Sequence, residues 1–262
     1  MIDTHCHLHD RRYDDDRAQT VERARAAGVG RMVTVGCDLA DSARALATAG
    51  EYGLAASVGI HPHEAKDAPA DISAAFATLI GEAPVVAIGE TGLDYYYDHS
   101  PRDVQANVLR AQIRFARGRN LPLIFHQRDA YDDFLEILRE EFAPGMRGIV
   151  HCFTGSAEQA RVYTREFGLL LGIGGVVTFA NAQPLRDAVR AVGLDELVLE
   201  TDAPYLAPVP LRGKRNEPAF LAHVAAKVAD VLDAGVAEVV DGTTRNAEAL
   251  FASRSRPQPN RP

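Results

Sequence analysis

Two histidines stand one residue apart at the start of the chain, in the segment MIDTHCHL (residues 1–8). If this segment is a strand, the side-chain period of two places His5 and His7 on one face and Thr4 and Cys6 on the other. Two imidazoles that converge at a strand end can form half of a metal site. A single histidine at such a place would more often cap the strand or pack in a core. The pair therefore predicts a metal site if further ligands occur at matching places.

Histidines and carboxylates also stand at the ends of other short apolar runs: Glu90, His126, His151 and Asp202. Each has an ordinary structural explanation by itself, as a core histidine bonded to a backbone carbonyl or as a carboxylate that caps a turn. If the runs are strands of one sheet, however, four histidines and two carboxylates share its edge. Because burying such a set without a counter-charge is costly, divalent cations are the natural solution.

The predicted ligands combine imidazole with carboxylate and include no thiolate. Such a set suits Zn²⁺, Mn²⁺, Co²⁺ or Mg²⁺ and does not resemble a structural zinc site. Cys6 and Cys152 each neighbour a predicted ligand within a strand and are expected to point to the opposite face. Six ligands exceed the four of one tetrahedral ion. Two ions with a carboxylate between them are the simpler account.

The elements that must position these residues alternate along the chain. Eight strand-like runs are expected, several of them continuously apolar, as strands buried on both faces require. They cover residues 1–5, 31–36, 54–60, 85–89, 121–126, 148–151, 169–174 and 197–200. Strand and helix repeated eight times predict a (β/α)8 TIM barrel, with its site at the carboxyl ends of the strands. A doubly wound open sheet is the alternative.

Helical patterns fill the intervals between the strands. They cover residues 16–27, 41–51, 71–81, 130–141, 156–167, 183–192, 218–232 and 244–251, and one further helix follows Ser100-Pro101, which reads as N-cap and N1. Residues 1–252 are predicted to form a single domain. Residues 253–262 contain mainly Arg, Pro, Ser and Asn and are expected to be disordered.

Composition and charge narrow the class of protein. The chain has 262 residues, three cysteines without close spacing and a formal charge of −8. These features favour a reducing cytoplasm and give no sign of a membrane span, a signal peptide or an obligate protein partner. The negative charge argues against a broad nucleic-acid-coating surface, but not against a nuclease whose metal ions supply local positive charge.

Long motifs in a fixed order resemble the TatD family of metal-dependent hydrolases. They are DTHCH (3–7), GIHPH (59–63), GETGLDYY (89–96), HCFTG (151–155), ETDAPYL (200–206) and RGKRNEP (212–218). The resemblance runs from Ile2 to about Phe251. The family belongs to the amidohydrolase superfamily, and its members are usually described as deoxyribonucleases.

The resemblance implies a role for each ligand. His5, His7 and Asp202 would hold one divalent ion, His126 and His151 a second, and Glu90 would bridge the two, where many amidohydrolases use a carbamylated lysine. The implied activity is that of an exonuclease on single-stranded DNA, in which a two-metal-activated water cleaves the phosphodiester bond. Asp202 would orient that water and accept its proton.

Four residues are candidates for contact with the substrate: His63, Arg128, Lys214 and Arg215. The alternative for His63 is a loop histidine fixed by Pro62, and the alternative for Arg128 is a solvated arginine at a helix start. Two other functions stay open. The same metal pair could hydrolyse a small amide or an aminoacyl ester, or the chain could be a non-catalytic metal-binding scaffold.

Overall fold

The computed structural model describes residues 1–81 and 85–252, which fold as an eight-stranded parallel barrel surrounded by helices. Each strand pairs with the next one along the chain. The strands are β1 (Ile2–Cys6), β2 (Arg31–Val35), β3 (Ala55–Val58), β4 (Val85–Asp94), β5 (Leu123–Arg128), β6 (Gly148–Val150), β7 (Leu170–Ile173) and β8 (Leu197–Leu199). The predicted TIM barrel is confirmed, and the doubly wound alternative is wrong.

The barrel closes just beyond the ends of β1 and β8. The Asp202 amide donates to the His5 carbonyl at 2.9 Å, and the His7 amide donates to the Ala203 carbonyl at 2.7 Å. These bonds join the two segments that carry the first and last predicted ligands. Closure of the sheet therefore brings residues from opposite ends of the chain together.

Nine α-helices lie within the described residues. They are α1 (Arg17–Ala26), α2 (Leu39–Tyr52), α3 (Ile72–Ile80), α4 (Arg102–Arg119), α5 (Tyr131–Glu141), α6 (Ala157–Phe167), α7 (Gln183–Val192), α8 (Leu221–Leu232) and α9 (Val236–Phe251). Their ends follow ordinary capping chemistry. Ser156 forms a capping box with Gln159 at the start of α6, and Gly53 ends α2 in the left-handed conformation that glycine adopts readily.

The apolar core has two parts. The larger part lies between the barrel and the surrounding helices. Inside the barrel, small clusters such as Val33, Val35, Ala87 and Ile124 fill the interior, and Phe251 of α9 packs against them. The interior is thus a packed core, which leaves the carboxyl ends of the strands as the place for a site.

Several predicted boundaries were wrong; β4, for example, runs to Asp94 rather than ending at residue 89. Ser100 does not cap α4. Its hydroxyl donates to the His63 carbonyl and accepts from the Lys66 amide, and Pro101 holds the N-cap position. Helix α9 begins at Val236 rather than at residue 244. Gly242 disfavours a helix by propensity, but the missing Cβ leaves room for Leu194, so tertiary packing overrides propensity.

Two further predictions concern the C-terminal residues and the location of the protein in the cell. The predicted disorder of residues 253–262 lies outside the described residues. Within the described part of the chain, no helix has both the length and the apolar character needed to cross a bilayer. The cytoplasmic location stays a prediction.

Candidate metal centre

A cavity of about 820 Å³ opens at the carboxyl ends of the strands. Five of the six predicted metal ligands line it: His7, Glu90, His126, His151 and Asp202. The sixth, His5, is fully buried against them. The structure therefore brings all six together, although their action as ligands stays a prediction.

Glu90 occupies the centre of this group. Its Oε2 lies 3.4 Å from His5 Nε2, and its Oε1 lies 3.0 Å from His126 Nδ1. The register between β4 and β5 shifts between Ile88 and Thr91, so Glu90 stands in an irregular segment of β4. Such irregularities often redirect a side chain next to a site. As a result, one carboxylate faces imidazoles on both of its oxygens.

Asp202 and the first two histidines form the side of the centre near β1 and β8. His5 Nε2 and His7 Nε2 are 3.2 Å apart, and His7 Nε2 lies 3.5 Å from Asp202 Oδ1. Asp202 adopts a φ of 56°, in the left-handed region that few non-glycine residues occupy. The predicted convergence of His5 and His7 is present in the structure.

His61 is a member of the centre that was not among the predicted ligands. Its Nε2 lies 3.5 Å from Glu90 Oε1, and its ring packs edge-on against that of His126 with centroids 4.5 Å apart. Burial lowers the pKa of His61 to about 4 in spite of the Glu90 charge. A neutral imidazole is the form that can bind a cation. The first histidine of the GIHPH motif was the available signal.

Two buried carboxylates outside the predicted set hold the histidines in place. Asp94 Oδ2 lies 3.0 Å from His126 Nε2 and 2.9 Å from His63 Nε2. Glu200 Oε1 lies 2.9 Å from His151 Nδ1. Each carboxylate contacts one ring nitrogen and leaves the other directed towards Glu90. This is the usual relation between a metal-binding histidine and the group behind it.

The charges of the centre are mutually dependent. Burial alone would raise the pKa of Glu90, but the surrounding histidines, His151 and His61 first, outweigh it and hold that pKa well below its ordinary value. Burial would likewise lower the pKa of His151, but Glu200 and then Glu90 raise it to about 9. Carboxylates that stay ionised in a buried site need positive charge beside them, which protonated histidines or a bound cation supply.

The donor atoms fit divalent cations. Three groups of donors that contain only nitrogen and oxygen have their ligand atoms within 4.8 Å of one another, and two of the groups share Glu90. These groups are His5, His7 and Glu90; His61, Glu90 and His126; and His5, His151 and Asp202. A fourth group, His151, Cys152 and Glu200, includes a thiol. The opposed Nε2 atoms of His5 and His7 share at most one proton, whereas a cation would satisfy both lone pairs. Nitrogen and oxygen donors without sulfur suit Zn²⁺, Mn²⁺, Co²⁺ or Mg²⁺.

One of the two cysteine predictions was wrong. Cys6 turns away as expected and donates from Sγ to the Val33 carbonyl. Cys152, however, lines the cavity. Strand β6 ends at Val150, and Cys152 has a φ of 44°, so strand alternation no longer decides its direction.

The predicted substrate-contact residues fall into two pairs. His63 and Arg128 line the cavity. Lys214 is exposed and is not among the residues that line it. Arg215 is bound elsewhere, with Nη1 2.7 Å from Asp16 Oδ1 and its guanidinium over the Tyr13 ring. The structure therefore gives Arg215 a structural role, and contact with substrate by any of the four stays a prediction.

Comparison with known proteins agrees with this geometry. The family model described as TatD related DNase matches residues 2–252. The uncharacterized metal-dependent hydrolase YabD of Bacillus subtilis is 44% identical over 252 residues, which cover 96% of this chain and 98% of the relative. A 3'-5' ssDNA/RNA exonuclease TatD from a Rahnella strain is 37% identical over 263 residues, covering 98% of this chain and 100% of the relative.

Comparison with solved structures also finds a TatD homologue. The crystal structure of YjjV, a TatD homologue from Escherichia coli K12, superposes with a TM-score of 0.89 at 31% identity. The superposition covers 96% of this chain and 97% of that one. Because the family model spans nearly all of the described barrel, including every residue of the candidate metal centre, the chain belongs to the TatD family of related DNases.

Proposed function

We propose that this protein is a metal-dependent phosphodiesterase that hydrolyses single-stranded nucleic acid, most directly DNA, with two divalent cations. The observation that carries the proposal is Glu90, whose two carboxylate oxygens face imidazoles on opposite sides of one buried centre, His5 at 3.4 Å and His126 at 3.0 Å. The names of the exonuclease relatives support this substrate class.

The residues divide between two cation positions. As the motifs imply, His5, His7 and Asp202 would hold one cation, and His126 and His151 the other, with Glu90 between them. His61, which groups with Glu90 and His126, would add a donor on the side of the second cation. When bound, the cations lower the pKa of water and stabilise negative charge on phosphoryl oxygens. Asp94 and Glu200, which contact the outer nitrogens of His126 and His151, keep these rings oriented towards the centre.

Asp202 is the proposed proton acceptor. Its side chain is only 13% exposed, and its neighbours, His7 before the other histidines, hold its pKa below the ordinary value against the effect of burial. It is therefore ionised at neutral pH and can orient a water molecule towards a phosphorus atom and accept its proton. His63, on the other side of Asp94, would contact the phosphate or the leaving group.

The proposal is tested with a substrate panel. The purified protein, loaded with Mn²⁺ or Mg²⁺, is assayed on 3′-labelled single-stranded DNA, the same sequence as duplex and as RNA, and a set of small esters and amides. Metal-dependent shortening of the single strand is expected, and chelation should abolish it. Turnover confined to the esters or amides would show that the same donors polarise a carbonyl instead, and inactivity on the whole panel would favour a scaffold.

A further inference from the structure

A group of exposed aromatic rings stands at one edge of the cavity, after the end of β4. The rings of Tyr97 and His99 are nearly parallel, with an interplanar angle of 15° and centroids 5.5 Å apart, and both residues line the cavity. Tyr96 packs edge-on against Tyr97. Tyr96 and Tyr97 are 57% and 51% exposed, among the most exposed large hydrophobic side chains in the described chain. We call Tyr96, Tyr97 and His99 the aromatic platform.

Buried polar groups hold the loop that carries the platform. Asp94 Oδ1 accepts from the amides of Tyr96 and Tyr97 at 3.0 and 2.9 Å. Gln105 is fully buried; it accepts from the Asp94 amide and donates to the carbonyls of Asp94 and Ser100, so it ties both ends of the loop. The rings are therefore exposed on a fixed backbone. Satisfied buried networks of this kind give a site a unique geometry.

The same carboxylate connects the platform to the metal centre. While Asp94 Oδ1 holds the amides of the platform, its Oδ2 faces His126 and His63. His63 also packs edge-on against Tyr97, with centroids 5.4 Å apart. One residue thus sets the position of the rings relative to a predicted ligand. This relation is expected for a subsite that must hold part of a substrate at a fixed distance from the reacting bond.

Charge distinguishes this edge of the cavity from the opposite one. The Arg128 guanidinium lies over the Tyr96 and Tyr97 rings, 3.9 and 4.9 Å from their centroids. The opposite edge has a similar stack of Arg12 on Tyr205, but Asp10 binds that guanidinium through two hydrogen bonds. Asp38 and Asp41, after β2, and Glu64, beside His63, also line the cavity. Among the described residues that line the cavity, Arg128 is the one arginine or lysine, so an anionic chain is attracted towards the edge that carries it.

We infer that the aromatic platform and Arg128 form a nucleobase-stacking subsite for a nucleotide next to the scissile bond. A base stacks on the rings of Tyr97 and His99, and Arg128 donates to a neighbouring phosphate. This inference rests on the proposed function and explains why the substrate would be single-stranded. Only an unpaired base exposes its edges and faces to such a platform.

The test compares intact and abasic substrates. Single-stranded oligonucleotides carry a tetrahydrofuran residue in place of one of the two nucleotides that flank the first bond cut, and kcat/KM is measured for each. For the wild type, loss of the base at one of these positions should lower kcat/KM roughly 10-fold or more. In Tyr97→Leu, kcat/KM for the intact strand should exceed that for the abasic strand by less than about 2-fold. Tyr97→Phe should keep the wild-type ratio of these two values because an aromatic face is kept.

Tyr52→Leu is the matched control, because Tyr52 ends α2 at the opposite end of the barrel, and it should keep the wild-type ratio.

A second measurement does not need activity. With EDTA present, the fluorescence of 2-aminopurine at the sensitive position should be quenched on binding to the wild type and much less on binding to Tyr97→Leu. Circular dichroism of each variant confirms folding.

The outcomes separate this inference from the proposed function. If the wild type cuts intact and abasic strands equally, or if Tyr97→Leu keeps the full ratio and the full quenching, the subsite is wrong while the nuclease proposal stands. If the wild type cuts no oligonucleotide at all, both are wrong.

Discussion

Asp202 combines a carboxylate that is only partly exposed with the position expected for a proton acceptor. Asp202→Asn keeps the shape of the side chain but removes its charge and its basicity. We expect a folded protein whose turnover of single-stranded DNA falls by roughly 10²–10⁴-fold, the usual contribution of a positioned acid–base group. The measurement is hydrolysis of a 3′-labelled oligonucleotide at saturating Mn²⁺, with circular dichroism to confirm folding. A well-folded variant that cuts within a few-fold of wild type would give Asp202 a purely structural role.

Residues that touch the centre directly were easier to predict than those behind them. His5, Glu90 and Asp202 could be identified because each is a polar residue that follows a short apolar run of the sequence, and parallel strands of a barrel end at a common edge. Asp94 and Glu200 also lie in recognisable motifs, but nothing in the sequence says which ring nitrogen each would contact. Cys152 was misplaced because the strand ended one residue before His151.

At the scale of elements, the loop that follows β8 is fixed to α1 by ion pairs. Asp16 contacts Arg215 through both carboxylate oxygens at 2.7 Å and also contacts Arg23 at 3.0 Å. This loop contains Lys214 and Arg215, which the sequence suggested as phosphate contacts. In a sequence, a basic loop residue that binds a substrate cannot be distinguished from one that pairs with a carboxylate 199 residues away. The sequence therefore could not show that Arg215 pairs with Asp16.

Asp16 should make stability depend on pH. Arg215, and then Arg23, hold the pKa of Asp16 below its ordinary value of 3.8. The contribution of the ionised Asp16 carboxylate to the free energy of unfolding is therefore complete above pH 3.8, and it is lost as the pH falls below that value. Asp16→Asn should lower the free energy of unfolding by about 1 kcal/mol at pH 7, since the pair is about one-third exposed and partly screened. The difference from wild type should shrink below pH 3.8.

Urea unfolding of both proteins between pH 7 and pH 3 measures this difference. Asp14→Asn is the control, since Asp14 makes a single exposed contact with Arg17 and should change stability less. A difference between Asp16→Asn and wild type that grows as the pH falls would contradict the assignment.

At the scale of the whole molecule, the barrel and the metal centre should stabilise each other. The donors come from segments between His5 and Asp202, so a bound cation joins strands that are distant in sequence. A ligand present at about 100 times its Kd stabilises the native state by about 2.7 kcal/mol. For a chain of this size that corresponds to roughly 5–10 °C in Tm.

Removal of metal should therefore lower the Tm by that amount, and Mn²⁺ or Zn²⁺ should restore it. Thermal unfolding followed by circular dichroism before and after chelation is the measurement. An identical Tm in both states, with metal loss verified by elemental analysis, would mean that the donors do not hold a cation in the native protein.

The position of Glu90 between two groups of histidines is the most consequential feature of the molecule. Glu90→Gln keeps the size of the side chain and removes the charge that would join two cations. Glu140→Gln is the control, because Glu140 pairs with Arg110 on the surface near the end of α5. Both variants are assayed with wild type for metal content by elemental analysis and for turnover of bis(4-nitrophenyl) phosphate and single-stranded DNA. We predict two divalent ions per chain for wild type and Glu140→Gln, and at most one ion with almost no turnover for Glu90→Gln. Full metal content and wild-type turnover in Glu90→Gln would contradict the account.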